Sequence, residues 1–182
     1  MSLGRSAGYR IERFDPARHD RGTFSYGVDR IDNFFRKTAN KLARAGNVRI
    51  FVMVDGDGQV VGFYALNAHA VDYRDLPARF ARSRPAHGSI PAAFLSMIAV
   101  DRRQAGKGLG GDLLVDALLR VTRVADELGI ALVMLDILDD GDQTAVQRRK
   151  ALYERYGFAP LTSDPLRMVL PVATIRTLVD ES

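Results

Sequence analysis

The glycine-rich segment over residues 100–111 is the part of the chain whose composition most directly predicts a binding site. It reads Val-Asp-Arg-Arg-Gln-Ala-Gly-Lys-Gly-Leu-Gly-Gly and lies between a strand-like apolar run and the longest predicted helix. Glycines let the backbone approach a ligand closely, and the first N–H groups of a helix have no acceptor within it. The helix dipole adds partial positive charge, so a pyrophosphate is the natural guest, with Arg102, Arg103 and Lys107 nearby. A tight strand-to-helix turn is the structural alternative.

The spacing of the glycines decides between classes of phosphate-bearing ligand. Gly106, Gly108 and Gly111 satisfy the dinucleotide pattern G-x-G-x-x-G, but five residues separate the strand from its first glycine and further βαβ units are missing. A P-loop would need Gly-Lys-Ser/Thr, which the segment lacks. Residues 103–108 instead match the R/Q-x-x-G-x-G/A motif, and here the chain resembles the GNAT family of N-acetyltransferases. The resemblance implies that the loop holds the pyrophosphate of acetyl-coenzyme A.

A second segment extends this resemblance, which covers about residues 92–160. Residues 151–158, Ala-Leu-Tyr-Glu-Arg-Tyr-Gly-Phe, are similar to the family's A-x-x-Y-x-x-x-G-F segment, with one residue fewer on each side of the first tyrosine. By resemblance, Tyr153 is the general acid for the departing thiolate, and packing in the core is its alternative role. His69 and His87 are candidate bases, although a structural role is favoured for both. The predicted coenzyme-binding residues are Ile98 and Val100, which would pair with the pantetheine arm, and Arg103, Ala105, Gly106, Lys107, Gly108, Leu109 and Gly110.

Hydrophobic periodicity predicts the elements that position these residues. The predicted helices span residues 28–45, 108–128, 143–156 and 172–179, and residues 72–91 form an irregular basic connection with one short helix. The predicted strands span residues 9–14, 48–54, 59–66, 92–100, 131–137, 158–160 and 166–170. We therefore expect an α/β protein with the GNAT fold: a mixed, mostly antiparallel sheet of about six to seven strands with helices on both faces. At 182 residues, a single domain over 1–182 is expected.

The composition excludes several classes of function. The chain contains no cysteine, so it has no disulfide, thiol nucleophile or cysteine-ligated zinc, and we predict no metal cofactor. No apolar run approaches the roughly 20 residues that span a bilayer, and the N-terminal residues lack a secretion signal. We expect a cytoplasmic protein that does not bind membranes.

Charge is segregated along the chain. Residues 1–50 carry eleven basic and five acidic side chains, whereas residues 126–142 carry six acids and no base. This pattern predicts a basic face for a polyanion such as nucleic acid, and an ordinary solvated surface in an arginine-rich chain is the alternative.

The first third of the chain resembles a subgroup of acetyltransferases, the toxins of bacterial toxin–antitoxin pairs. Residues 24–39 approximate their pattern of a small residue and Gly followed by L/I-D-x-F-L-x-x-x-A, although Tyr26 precedes Gly27 and the segment between Leu138 and Tyr153 is longer than in most relatives. The resemblance implies acetylation of the α-amine of aminoacyl-tRNA, inhibition by a small ribbon-helix-helix antitoxin and, as one option, a homodimer. The residues predicted to contact tRNA phosphates are Arg36, Lys37, Lys41, Arg44, Arg49, Arg82 and Arg84.

Two alternatives remain open at this point. One is a GNAT acetyltransferase of a small amine, an antibiotic or a protein N-terminus. The other is a non-catalytic module that binds coenzyme A or a dinucleotide; the presence of Tyr153 argues against the coenzyme A module and the missing βαβ units argue against the dinucleotide module.

Overall fold

The computed structural model describes residues 8–81 and 88–180. The strands are β1 (Arg10–Arg13), β2 (Arg49–Val54), β3 (Val60–Asp72), β4 (Ser89–Val100), β5 (Leu132–Asp136), β6 (Ala159–Pro160) and β7 (Arg167–Pro171). They form one sheet with the order β1-β2-β3-β4-β5-β7-β6, and the pairs β1–β2, β2–β3, β5–β7 and β6–β7 are antiparallel. The predicted mostly antiparallel sheet is therefore confirmed.

The helices follow the predicted order along the chain. The helices are α1 (Asp29–Asn33), α2 (Ala39–Arg44), α3 (Ala78–Ala81), α4 (Leu109–Ala125), α5 (Gln143–Arg155) and α6 (Val172–Asp180). Short 3₁₀ turns precede α3 and follow β4, at Tyr73–Asp75 and Arg102–Gln104.

The first of two compact units contains residues 8–67 and 95–117 of the described chain. Its core includes an aromatic cluster in which the rings of Phe35 and Phe63 stack 4.1 Å apart and Phe24 meets both edge-on. Aromatic pairs in this geometry stabilise a core beyond the area that they bury. The cluster fixes the segment before α1 to the sheet of this unit.

The second unit contains residues 68–94 and 118–182. Its core is apolar and is built around Ile90, Leu132, Met134 and Val169, each at most 2% exposed. The antiparallel pairing of β5 with β7 and of β7 with β6 places the residues after α5 beside this core. This unit carries Tyr153.

Several elements differ from the prediction, among them the first helix and strands β3 and β4. The helix predicted over 28–45 is interrupted by a π-helical turn, Phe34–Thr38, and this wider turn places the consecutive residues Phe34 and Phe35 against the ring of Phe63. Strand β3 runs six residues beyond the predicted end, and β4 begins three residues early. Both extensions carry residues into the second core, including Val71 and Ile90, and in β4 burial overrides the turn signal of Pro91.

Candidate functional site

The glycine loop presents a row of backbone donors. The N–H groups of residues 103–105 bond to Asp101 and Arg102, and those of Gly111 and Asp112 bond to the carbonyl oxygen of Gly108 as α4 begins. Between them, the N–H groups of residues 106–110 have no acceptor anywhere in the described parts of the chain. Five consecutive donors at a helix N-terminus are able to bind an anion, because each needs an oxygen from outside the protein.

Backbone handedness explains two of the loop's glycines. Gly106 and Gly108 have φ values of +82° and +78°, in the left-handed region that other residues enter only at a cost. A Cβ at either position would meet no atom within 4 Å. The loop therefore needs glycine for its path, and its surroundings leave room for a ligand.

The side chains of the loop differ in whether they are available to a ligand or are already bound within the protein. Leu109 is 1% exposed, so only its N–H group can serve a ligand. Lys107 is exposed, and its Nζ donates to the Gln104 side chain at 2.6 Å, within the loop. Arg103, predicted to bind the coenzyme, directs its Nε and Nη2 atoms to the carboxylate of Asp101, both at 2.8 Å.

Asp101 lies at the start of the glycine loop and was not selected in the sequence analysis. It is 1% exposed and lies directly between β4 and the loop. Burial alone would raise its pKa, but hydrogen bonds from Arg103 and Ser25 and the charge of Arg103 outweigh burial and lower the pKa to about 2. It is thus a carboxylate at neutral pH. An acid at the end of a strand, two residues before an arginine, is the signal that could have drawn attention to it.

Tyr153 lies on α5, in the second unit. It is 9% exposed, and its ring packs edge-on against Phe158 with centroids 5.9 Å apart. The start of α5 is fixed by Asp142, whose Oδ1 accepts from the N–H groups of Thr144 at 3.0 Å and Ala145 at 3.1 Å. The tyrosine therefore occupies a defined, largely desolvated position, a setting that suits a general acid and also a core residue.

Arg149 anchors the middle of α5 to the longer segment before Tyr153. Its Nη1 donates to the carbonyl oxygen of Leu138 at 2.8 Å, and its Nη2 donates to Asp140 at 2.7 Å. The hydrogen bond from Arg149 is the main cause that lowers the pKa of Asp140 to about 2. The acidic segment is thus partly neutralised by a residue of the helix that it precedes.

Comparison with known proteins decides the family. The acetyltransferase (GNAT) domain family matches residues 46–160, which is more than half of the chain and includes the glycine loop and Tyr153. The chain belongs to the GNAT family.

Two relatives match this GNAT chain over nearly its full length. A probable toxin TacT from Sinorhizobium fredii is 58% identical over 170 residues, which is 93% of this chain and 94% of that protein. A tRNA-acetylating toxin from Mycobacterium tuberculosis is 34% identical over 96% of this chain and 99% of that protein.

Solved structures support the fold. The toxin AtaT complexed with acetyl-methionyl-tRNAfMet superposes with a TM-score of 0.82 at 22% identity, covering 94% of this chain and 99% of that one. A tyrosine-to-phenylalanine mutant of KacT gives a TM-score of 0.83 at 21% identity, covering 94% and 99%. AtaT with its antitoxin, bound with acetyl-CoA, gives 0.77 at 22%, covering 96% and 99%. The expected GNAT fold is confirmed.

The basic residues predicted to contact tRNA differ in their surroundings. Arg36 donates from Nε and Nη2 to the carbonyl oxygen of Phe24, so it is held against the protein. Lys37, Lys41 and Arg44 are exposed, and none of them forms an ion pair within residues 8–81 and 88–180. Their steps of four and three residues form a basic stripe along one side of the helical segment. Arg82 and Arg84, like the candidate base His87, lie outside the described residues.

Two clefts beside this stripe are lined by six arginines, of which Arg13, Arg18 and Arg21 were not selected in the sequence analysis. A cleft of about 390 Å³ is lined by Arg18, Arg21 and Arg36 among others. A cleft of about 260 Å³ is lined by Arg13, Arg44 and Arg49. The excess of basic residues before position 50 was the available signal, but the grouping of these six depends on the fold.

The described residues contain no helix long and apolar enough to cross a membrane. In the same residues, no group of three or more histidines and carboxylates is placed to hold a metal ion.

Proposed function

We propose that this protein is a toxin that transfers the acetyl group of acetyl-coenzyme A to the α-amine of an aminoacyl-tRNA and thereby blocks translation. The observation that carries the proposal is the row of five unbonded N–H groups at residues 106–110, in a chain that aligns along nearly its whole length with a probable toxin and a tRNA-acetylating toxin. The loop supports the coenzyme and the relatives support the acceptor.

The loop residues suit the coenzyme's pyrophosphate. The N–H groups of Gly106, Lys107, Gly108, Leu109 and Gly110 would donate to phosphate oxygens, and the ammonium of Lys107 would offset their charge. The backbone of Ile98 and Val100, both half-buried at the end of β4, would pair with the pantetheine arm and orient it. The bound coenzyme supplies an activated acetyl thioester.

Tyr153 would supply a proton. As the amine nitrogen bonds to the carbonyl carbon, the carbon–sulfur bond breaks and its electron pair stays on sulfur, which takes the phenolic proton of Tyr153. The amine loses its own proton to water. An α-amine has a pKa of about 8, so a fair fraction is already neutral near pH 7 and no dedicated base is required. Structures of AtaT and KacT have been solved with one tyrosine replaced by phenylalanine, and the same substitution at Tyr153 is the natural variant to test in this protein.

The basic stripe of Lys37, Lys41 and Arg44 would bind phosphates of the tRNA. Exposed cations without ion-pair partners release counterions when they meet a polyanion, which makes binding dependent on salt. The arginine-lined clefts beside the stripe extend this surface toward β1 and β2. A small amine or an antibiotic would have no use for a basic surface of this extent.

The partners follow from the relatives. AtaT has been solved with the C-terminus of its antitoxin AtaR, and KacTA with DNA. We propose that an antitoxin inhibits this protein too, that the antitoxin is of the ribbon-helix-helix type, and that the toxin forms a homodimer. The single-domain organisation and the cytoplasmic location stay predictions.

The first experiment tests the acceptor. Purified protein is incubated with labelled acetyl-coenzyme A and charged tRNAs, and in parallel with polyamines and aminoglycosides. Acetylated aminoacyl-tRNA is expected, and Tyr153→Phe should lower its formation at least tenfold. Tyr156→Phe, a half-buried tyrosine on the same turn, is the matched control and should retain activity. Turnover of small amines without acetylation of charged tRNA would contradict the toxin function.

The second experiment tests the basic stripe. Combined reversal of Lys37, Lys41 and Arg44 to Glu should raise the KM for charged tRNA at least tenfold and reduce its salt dependence, with little change in the Kd for coenzyme A. The control reverses three exposed arginines elsewhere: Arg123, Arg155 and Arg176. Equal losses in both triple variants would show a general effect of net charge and would remove the stripe from the proposal.

A further inference from the structure

Asp101 joins the coenzyme loop to a segment far away in sequence. Its Oδ2 accepts from the N–H group of Ser25 at 3.1 Å, and Oδ1 accepts from the N–H group of Arg103 at 2.9 Å. The guanidinium of Arg103 then closes on both carboxylate oxygens at 2.8 Å. Every oxygen of this buried carboxylate is used, so its position is fixed.

Two further hydrogen bonds run in the opposite direction. The N–H group of Arg102 donates to the carbonyl oxygen of Ser25 at 2.9 Å, and Nη2 of Arg103 donates to that of Thr23 at 3.1 Å. Residues 101–103 and 23–25 are thus joined by three hydrogen bonds between the two segments. We call these six residues the loop clamp.

The segment that holds the clamp is itself rigid. Asp32 accepts from the N–H groups of Tyr26 at 2.7 Å and Gly27 at 3.3 Å, and from the Ser25 hydroxyl at 2.9 Å. Phe24 is completely buried in the aromatic cluster. Asp32, the acid of the toxin-like pattern in residues 24–39, therefore has a structural explanation: it holds residues 25–27 in place, and Ser25 is part of the loop clamp.

We propose that Asp101 and Arg103 are positioning residues for coenzyme binding, and that Arg103 acts through Asp101 and not as a direct ligand of the pyrophosphate. The inference rests on the proposed function. A loop with glycines at 106 and 108 has a large conformational entropy, and the five N–H groups of residues 106–110 bind an anion together only if the loop starts from a fixed point. The loop clamp supplies that fixed point directly after β4 and before the first glycine, Gly106.

The two roles of Arg103 predict opposite effects for Asp101→Asn. If Arg103 were a phosphate ligand held back by Asp101, removing the carboxylate charge would release the guanidinium and strengthen coenzyme binding. If Asp101 positions the loop, the same change weakens the bonds to Arg103 and Ser25 and loosens the loop. The sign of the change in Kd therefore separates the two roles.

The experiment measures the Kd for coenzyme A by calorimetry in the full chain, without turnover. We expect Asp101→Asn to raise the Kd about tenfold and Arg103→Gln at least threefold, while the acetyl-CoA KM rises in parallel and kcat changes less than twofold. Arg103→Lys keeps the charge but loses the two-pronged contact, so it should resemble Arg103→Gln. Asp116→Asn is the matched control: Asp116 is also buried, accepts from the Tyr64 hydroxyl at 2.6 Å and lies outside the clamp.

Each outcome has a consequence. Unchanged or tighter binding by Asp101→Asn, or wild-type affinity in Arg103→Gln and Arg103→Lys, would overturn the positioning role. Because Arg103 is exposed, its variants decide the question if Asp101→Asn fails to fold. Equal weakening by Asp116→Asn would reduce the effect to general destabilisation and would also overturn it. Absence of coenzyme A binding by the wild-type protein would instead refute the proposed function, and the inference with it.

Discussion

Replacing Gly108 by alanine tests whether the path of the glycine loop is required for coenzyme binding. Gly108 has a φ of +78°, and an added Cβ would meet no atom within 4 Å, so the cost is one of backbone conformation and not of steric contact. Holding a non-glycine residue in the left-handed region costs about 1–2 kcal/mol. The question is whether the cost reduces folding stability or ligand affinity.

The hydrogen bonds around the residue answer it. Nothing in the described chain accepts from the N–H groups of residues 106–110, and the carbonyl oxygen of Gly108 accepts only from Gly111 and Asp112 in the first turn of α4. The ligand-free loop can therefore move away from the strained conformation with the loss of at most these two bonds at the end of a helix. Binding then has to restore that conformation. We expect Gly108→Ala to leave the free energy of unfolding close to that of the wild type and to raise the Kd for coenzyme A by roughly 5- to 30-fold, the equivalent of about 1–2 kcal/mol.

Gly58 provides a matched control, because its φ is +79° and its Cβ would also point into open space. This glycine lies in the β2–β3 turn, where Asp55 accepts from the N–H groups of Asp57, Gly58 and Gln59. The turn is held by the protein itself, so Gly58→Ala should lower the free energy of unfolding by about 1–2 kcal/mol and leave the Kd unchanged. Calorimetry and urea unfolding measure both quantities. Wild-type coenzyme affinity in Gly108→Ala, or a matching loss in Gly58→Ala, would refute the reasoning.

Three further predictions concern stability. Asp142→Ala removes the N-cap of α5 and should cost about 1 kcal/mol in urea unfolding, whereas no loss would mean that the cap contributes nothing. Gly62→Ala would place a Cβ 2.9 Å from Leu113 Cδ1 and 3.2 Å from the Ala99 carbonyl oxygen, and we expect a loss of about 1–3 kcal/mol; a wild-type melting temperature would contradict this. The pKa of Asp101 falls from 3.8 unfolded to about 2 folded, so its contribution is complete above about pH 4 and is lost as the pH falls toward 2. Above about pH 4, the free energy of unfolding of the wild type should exceed that of Asp101→Asn by about 1–2 kcal/mol, a modest value because solvent screens the exposed Arg103. This difference should disappear as the pH falls toward 2, and a constant difference would contradict the charge assigned to Asp101.

Local patterns in the sequence predicted much of the fold. The apolar spacing from Leu109 to Leu128 predicted α4, and the Asp-Gly-Asp-Gly turn predicted the β2–β3 hairpin, because both depend on interactions between near neighbours. The extensions of β3 and β4 were not predicted. They depend on burial in the second core, which only long-range packing creates.

The candidate site divides in the same way. Glycine composition and a helix start indicated the anion loop, since an N-terminus without internal acceptors is a property of the local backbone. The role of Arg103 was predicted as a coenzyme contact, whereas its guanidinium in the structure faces Asp101 and Thr23. Which partner an arginine finds is a matter of tertiary structure, since charge alone attracts any acid or phosphate in reach.

The chain by itself determined where an anion can bind and which helix receives it, because those properties arise within about a dozen consecutive residues. Only the tertiary structure decided what holds that site in place. Ser25 and Asp101 are 76 positions apart, and their hydrogen bond exists only because the aromatic cluster and the sheet bring both segments to one place. Contacts between residues so far apart in sequence leave no periodic pattern in the sequence, so only the folded structure reveals them.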